Sequence, residues 1–290
     1  MLLINFILNL AGLLLWLNWL SLHFDPLAKT SATSLVGTLK KADASGPRRW
    51  QSLAGVAGLV VIRAVIYWQI GPALNWTPRL SLPPLEPPFR SDYFISALLF
   101  SSLSFISTLA VFYFSLLLLS LANRNVPDTD PLQKLVRLYF KWLESWPAVI
   151  KLLLPLFAGA LFWLALHPLM TSLGMLPHAK SSAQLLEQAA VIGAGSYLSW
   201  KYLIVGILVL HLFNSYVFLG NHPIWNFVNA TARNLLYPLR WLPLRIGRID
   251  LLPVAAIALV LIVVNFSSLA DSFSRPPGAF RPWLYRHLPF

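Results

Sequence analysis

Six apolar runs, each of about 20 residues, are the feature that most constrains this chain. A hydrocarbon core about 30 Å thick needs a helix of about that length, because a helix satisfies its own backbone polar groups. The charged fraction is only 11% and the mean hydropathy is +0.67, so no stretch remains for an ordinary soluble domain. The sequence therefore predicts an all-α polytopic membrane protein with about six transmembrane helices, at residues 2–22, 53–71, 96–121, 148–170, 198–220 and 251–270.

The basic residues lie in alternate loops. Thirteen Lys and Arg residues lie in the first, third and fifth loops, against three in the second and fourth. The positive-inside rule then predicts that the odd-numbered loops face the cytoplasm and the N-terminus lies outside. Arg275, Arg281 and Arg286 in the tail run against this rule. The expected location is the bacterial inner membrane, crossed several times.

Two of the basic loops have the pattern of amphipathic helices that lie on the membrane, at residues 131–144 and 223–240. In the second, Asn221 or His222 offers a helix cap, Pro223 occupies the first helical position and Pro238 ends the helix. The cations of these loops are predicted to contact anionic lipid headgroups or partner membrane proteins. They are Lys134, Arg137, Lys141, Arg233, Arg240, Arg245 and Arg248.

The loops also suggest an internal repeat. Each odd-numbered loop contains a capping residue followed by Pro, namely Asp25-Pro26, Asp130-Pro131 and His222-Pro223. We expect three units, each with two spans and an interfacial helix. They cover residues 1–90, with a degenerate first copy and a Pro-rich outer loop, then 91–180 and 181–270, followed by a Pro- and aromatic-rich tail at 271–290. The alternative is that such pairs mark any junction between a loop and a helix.

Residues 221–253 resemble the repeat of the YggT family of bacterial and chloroplast membrane proteins. The chain departs from the family pattern at His222, Arg233, Arg248 and Leu252, and YggT proteins commonly resemble two such units rather than three. The matching residues are Pro223, Thr231, Pro238, Leu239, Arg240, Leu242, Pro243, Gly247, Ile249, Asp250 and Pro253.

The family resemblance favours a protein that organises or helps to assemble membrane protein complexes. The family is linked to osmotic tolerance and cell-division neighbourhoods in bacteria, and its chloroplast relatives to cytochrome-complex assembly. Arg233, Arg240, Arg245 and Asp250 are the expected working residues, with Arg240 facing lipid headgroups and Asp250 capping the last span or pairing with an Arg. Two alternatives stay open. In the first, these residues only set the topology. In the second, the protein is a channel or transporter for ions or small solutes.

Arg63 is the basic residue nearest the middle of a predicted span, and no carboxylate is predicted at matching depth. Burying its charge costs at least about 3 kcal/mol unless it is paired or hydrated. One interpretation is a contact for an anion or substrate, or a water-filled cavity. The other is a guanidinium that snorkels, or that bonds to carbonyls and to Asn or Ser side chains within the bundle.

The sequence does not predict a catalytic or cofactor site. The chain contains no Cys, and no nucleophile, base and acid occur at usable spacing, so we expect neither an enzyme nor a metal centre. A haem between His167 and His211 is disfavoured because their depths differ by roughly 15 Å at 1.5 Å per residue. The basic loops fit anionic lipid at least as well as nucleic acid, which is not an expected partner. A homo-oligomer stays open.

Overall fold

The computed structural model describes residues 2–21, 49–74, 76–80, 87–124, 131–139, 143, 145–176, 179, 181–217, 222–242, 244–246 and 249–264. Short 3-10 turns cover Pro72–Leu74, Ser196–Ser199 and Tyr237–Leu239, and a two-residue strand pair joins β1 (Arg245–Ile246) to β2 (Ile249–Asp250). The structure confirms the all-α prediction. Its helices are α1 (Leu2–Ser21), α2 (Arg49–Ile70), α3 (Phe94–Ala122), α4 (Pro131–Tyr139), α5 (Ala148–Ser172), α6 (Ser182–Gly195), α7 (Trp200–Tyr216), α8 (Pro223–Leu235) and α9 (Leu252–Val264).

Five helical segments of the described chain are long and apolar enough to cross a membrane. They comprise α1, α2, α3, α5 and the run Ser182–Tyr216, which contains α6 and α7. This finding confirms a multi-pass membrane protein. Helix α9 is also apolar, but its described part has 13 residues. The predicted sixth span, 251–270, therefore continues into residues outside the described part of the chain.

Helix α6 was missed by the sequence prediction, which placed the start of the fifth span at residue 198. Ser181 caps this helix, since its hydroxyl accepts a hydrogen bond from the Gln184 amide at 3.2 Å. Gln188 lowers the hydropathy of the segment, yet it is buried and its Oε1 accepts a hydrogen bond from Trp163 Nε1 at 3.3 Å. A hydropathy profile counts Gln188 as polar and cannot show that its side chain is hydrogen-bonded between two helices.

The chain divides into two compact units, residues 1–80 with 87–110, and residues 81–86 with 111–290. In the first unit α1 packs along α2. Beyond α2, the Phe89 amide donates to the Pro78 carbonyl at 2.8 Å, and the Phe89 ring packs 5.5 Å from Phe100. The described parts of the predicted outer loop, before and after residues 81–86, are therefore held against the helices. Residues 81–86 themselves lie outside the described part of the chain.

In the second unit α5 and α6 form a tightly packed helix pair. Gly159 and Gly193 face each other there, and a Cβ on Gly193 would lie 2.4 Å from the Leu156 carbonyl oxygen. Only a glycine permits this approach without moving backbone. Helix α5 ends at Ser172 and the chain then turns at Gly174, whose φ of 69° favours glycine and allows the Met175 amide to donate to the Met170 carbonyl.

The two amphipathic helices of the second unit lie with their apolar faces inward. Val136 of α4 is buried with Leu117 and Trp200. Val228 and Leu236, in and after α8, are buried with residues of α7 and α9. Helix α4 also contacts α8. The burial of Val136 and Val228 agrees with the amphipathic pattern that predicted both helices. Helix α8 ends at Leu235, earlier than the predicted residue 240. Residues 140–142 and 144, which follow the described part of α4, lie outside the described residues.

Repeat boundaries at residues 90 and 180 do not coincide with the division into two units, which falls within α3. The threefold repeat stays a prediction. The tail at 271–290 lies outside the described residues, as does the loop of the first copy at 22–48, which contains the Asp25-Pro26 pair.

Candidate functional site

Arg63 lies in α2 and is 0% exposed. Its Nε donates to Ser101 Oγ at 2.9 Å, and its Nη1 donates to Asn5 Oδ1 at 3.4 Å. Nη1 also donates to Asn9 Oδ1, and Nη2 donates to the Ser101 carbonyl oxygen. Helices α1 and α3 therefore supply the acceptors for a guanidinium carried by α2.

The acceptors around Arg63 are held in place by a further set of hydrogen bonds. Tyr67 Oη donates to Asn5 Oδ1 at 3.0 Å, and Asn9 Nδ2 donates to Ser104 Oγ at 3.1 Å. Ser101 Oγ donates to the Val60 carbonyl oxygen at 2.7 Å. We call Arg63, Asn5, Asn9, Tyr67, Ser101 and Ser104 the Arg63 cluster.

The acceptors that Arg63 uses are neutral amides, a hydroxyl and a carbonyl. A charged donor makes stronger hydrogen bonds than a neutral one, and the five N–H groups of a guanidinium suit a ring of acceptors on two helices. This geometry agrees with the interpretation in which Arg63 bonds to carbonyls and to Asn or Ser side chains within the bundle. It does not support the other interpretation, in which Arg63 contacts an anion or substrate.

A second polar group joins the amphipathic helices to the end of α3. Asn123 is 1% exposed, and its Nδ2 donates to Thr231 Oγ1 at 2.8 Å. Asn234 Nδ2 donates to Asn123 Oδ1 at 3.2 Å, and Gln133 Nε2 donates to the Asn123 carbonyl oxygen at 3.3 Å. These four residues form the Asn123 cluster, which fixes α4 and α8 to the same end of α3.

Helix α8 begins as the sequence predicted. His222 is the cap, since its Nδ1 accepts a hydrogen bond from the Ile224 amide at 3.4 Å, and Pro223 occupies the first turn. The helix stops before the turn that contains Pro238. There Arg240 Nη2 donates to the Arg233 carbonyl oxygen at 3.3 Å, so this cation binds the negative end of the helix.

The predicted lipid or partner contacts divide into exposed, partly buried and undescribed positions. Lys134, Arg233 and Arg240 are exposed, and Arg137 is half-buried. Arg245 and Asp250 lie opposite each other in the register of β1 and β2. Lys141, Gly247 and Arg248 lie outside the described residues, as do the side chains of Arg245 and Asp250.

Two of the matched motif residues, Thr231 and Pro253, are buried in α8 and α9 respectively. Thr231 is 0% exposed, and its Oγ1 donates to the Phe227 carbonyl oxygen at 2.8 Å while it accepts from Asn123. Pro253 is buried in the first turn of α9, where a proline needs no amide partner. The motif therefore contributes to packing and capping around α8 and α9.

The two histidines considered for haem have protein neighbours. His167 lies edge-on to Trp163 with ring centroids 5.8 Å apart. His211 Nδ1 lies 2.8 Å from Asn229 Oδ1, which links α7 to α8. Each side chain therefore has a packing role in the second unit.

Sequence reasoning missed Asn123, Gln133 and Lys151. Asn123 and Gln133 sit where a predicted span meets a polar loop, so their burial has no signal in the hydropathy pattern. Lys151 had a signal, since a lysine inside the first turn of an apolar run is unusual. It is 6% exposed, and its Nζ donates to Ser120 Oγ at 3.2 Å.

Comparison with protein-family models, with curated proteins and with solved structures gives no match in any of the three.

Proposed function

We propose that this chain is a non-enzymatic membrane protein of the YggT type, which organises or helps to assemble other membrane protein complexes. The observation that carries the proposal is the attachment of α4 and α8 to one end of α3 through Asn123, with Lys134, Arg233 and Arg240 exposed. In the proposed orientation these cations face the cytoplasmic leaflet of the bacterial inner membrane.

Large aromatic residues accompany the exposed cations after α8. Trp241 is 79% exposed and Tyr237 is 71% exposed, and the Arg240 guanidinium lies 5.7 Å from the Tyr237 ring centroid. Aromatic and cationic side chains together are typical of the boundary between headgroups and acyl chains. Each cation near an anionic surface contributes about 1 kcal/mol to such an association.

A channel or transporter for ions or small solutes, linked to osmotic tolerance, is the alternative proposal. It requires a polar path through the bundle, and Arg63 was its strongest candidate residue. Because Arg63 is fully buried and bonded to α1 and α3, it gives the channel alternative no support.

The test is purification of the full chain from native membranes in polymer discs, followed by quantitative mass spectrometry of the proteins that accompany it. Arg233→Gln/Arg240→Gln is compared with Arg79→Gln/Arg90→Gln, a matched pair of exposed arginines in the predicted outer loop. We expect a stoichiometric partner with the wild type and a loss of at least about tenfold for the first pair only, since two cations contribute about 2 kcal/mol.

Two outcomes would contradict the assembly role. One is equal partner recovery for both arginine pairs. The other is a homo-oligomer without partners that shows ion or solute flux in proteoliposomes, which would establish the channel alternative instead.

A further inference from the structure

A cavity of about 260 Å³ lies in the second unit, between the end of α3 and the start of α5. It is lined on one side by Ser120, Leu121 and Arg124. The other side is formed by the turn at residues 145–147 and by Ala148 and Lys151 of α5. Since one water needs only about 10–15 Å³ of such space, the cavity has room for several waters. A phosphate group and part of the group it is esterified to therefore fit.

The charge of the cavity lining is positive. Lys151 is 6% exposed and donates to Ser120 Oγ, while Arg124 is exposed at the rim. The described lining residues carry these two cations and no carboxylate. A lysine ammonium is a compact point charge that suits a phosphate oxygen, and an arginine adds paired N–H donors.

The start of α5 adds a third source of positive potential. Pro147 precedes this 25-residue helix and provides no side-chain cap. The Ile150 and Lys151 amides donate to the Pro147 carbonyl oxygen at 3.0 and 3.2 Å, which leaves the amides of the two preceding residues at the helix start. The N-terminus of a helix also carries about half a positive charge. Pro147 and Ala148 both line the cavity, so this end of the helix adjoins the two cations.

We propose that this cavity is a binding site for a phosphate group, held by Lys151 and Arg124 with the start of α5. The site lies at the end of α3 that leads into a predicted cytoplasmic loop. In that topology the site is at the depth of the lipid headgroups. The phosphate belongs either to a lipid headgroup or to a soluble phosphate. The site is separate from the exposed cations of α4 and α8, and it does not depend on the proposed function.

The experiment uses the full chain with the variants Lys151→Met and Arg124→Gln, and with Arg79→Gln as the matched control on an exposed arginine far from the cavity in sequence. One arm titrates detergent-solubilised protein with inorganic phosphate and follows the fluorescence of Trp146, which lines the cavity. Its specificity is checked by repeating the titration on the Trp146→Phe variant. The second arm counts phosphatidic acid and phosphatidylglycerol molecules retained from mixed nanodiscs by native mass spectrometry.

We expect Lys151→Met to reduce phosphate binding at least tenfold, Arg124→Gln to reduce it severalfold, and Arg79→Gln to leave it unchanged. Saturable binding of inorganic phosphate identifies a soluble phosphate as the source, whereas a lipid retained in one copy and lost in both variants identifies a headgroup. The proposal is overturned if the wild type shows neither, or if the variants bind as the wild type does. Arg124 is exposed, so its variant keeps the test decisive if Lys151→Met does not fold.

Discussion

Arg63 and Lys151 are both buried cations in apolar helices, but their surroundings differ. Arg63 meets acceptors from α1 and α3, and those acceptors are bonded to further residues of the first unit. Lys151 donates to Ser120 and lines a cavity that also contains Arg124. A cation enclosed by acceptors on neighbouring helices holds those helices together, whereas one beside a polar cavity is placed to meet a ligand. Burial alone does not distinguish the two roles.

The largest effect is expected when the acceptors around Arg63 are removed and the charge is kept. Among the described residues, Asn5→Leu/Asn9→Leu leaves the buried guanidinium with Ser101 alone to accept its hydrogen bonds. An uncompensated buried charge costs about 3–5 kcal/mol, so the free energy of unfolding should fall by that amount. Urea unfolding in mixed micelles, followed by tryptophan fluorescence and circular dichroism, measures it.

Two further variants make this result specific to the charge. Arg63→Met in the double-variant background should recover at least half of the lost stability, because the unsatisfied charge is gone. Asn18→Leu, a matched substitution on α1 that removes a bond to Ser52, should cost less than about 1 kcal/mol. A double variant as stable as wild type would mean that water, rather than α1, solvates Arg63.

A smaller effect is expected at the Asn123 cluster, where the groups are neutral. Asn123→Leu removes the bonds to Thr231 and Asn234 and leaves the backbone carbonyl that Gln133 uses. Hydrogen bonds between membrane helices average about 0.6 kcal/mol, so the loss should be about 1–2 kcal/mol. Amide exchange across residues 223–235 should also rise, and hydrogen exchange with mass spectrometry measures this.

The matched control is Asn226→Leu on the exposed side of α8, which should change stability by less than about 0.5 kcal/mol. If both variants lose equal stability, Asn123 does not hold α8 to α3. The first unit would then be the part of the chain in which a polar cluster determines packing.

The sequence predicted the helices better than the clusters that connect them. Apolar length placed α1, α2, α3 and α5 within a few residues, and the Pro223 and Pro238 pair bounded α8. Helix α6 was missed because Gln184, Glu187 and Gln188 lower its hydropathy. Its contact with α5 depends on the pairing of Gly159 with Gly193, which no local pattern reveals. The sequence suggested Asn or Ser side chains of the bundle as partners of Arg63, but only the fold shows that Asn5, Asn9 and Ser101 are those residues.

The smallest effect on stability is expected at Lys151. Lys151→Met removes the ammonium that donates to Ser120 Oγ, but Ser120 lines a cavity that has room for water to replace this donor, so the free energy of unfolding should stay within about 1 kcal/mol of wild type. Micellar urea unfolding without phosphate measures it. A loss as large as that of Asn5→Leu/Asn9→Leu would place Lys151 with Arg63 as a structural cation. If Lys151→Met unfolds with nearly the wild-type free energy and no longer binds phosphate, Lys151 and Arg63 have different roles. A cation that binds a ligand can be removed without loss of stability, whereas a structural cation cannot.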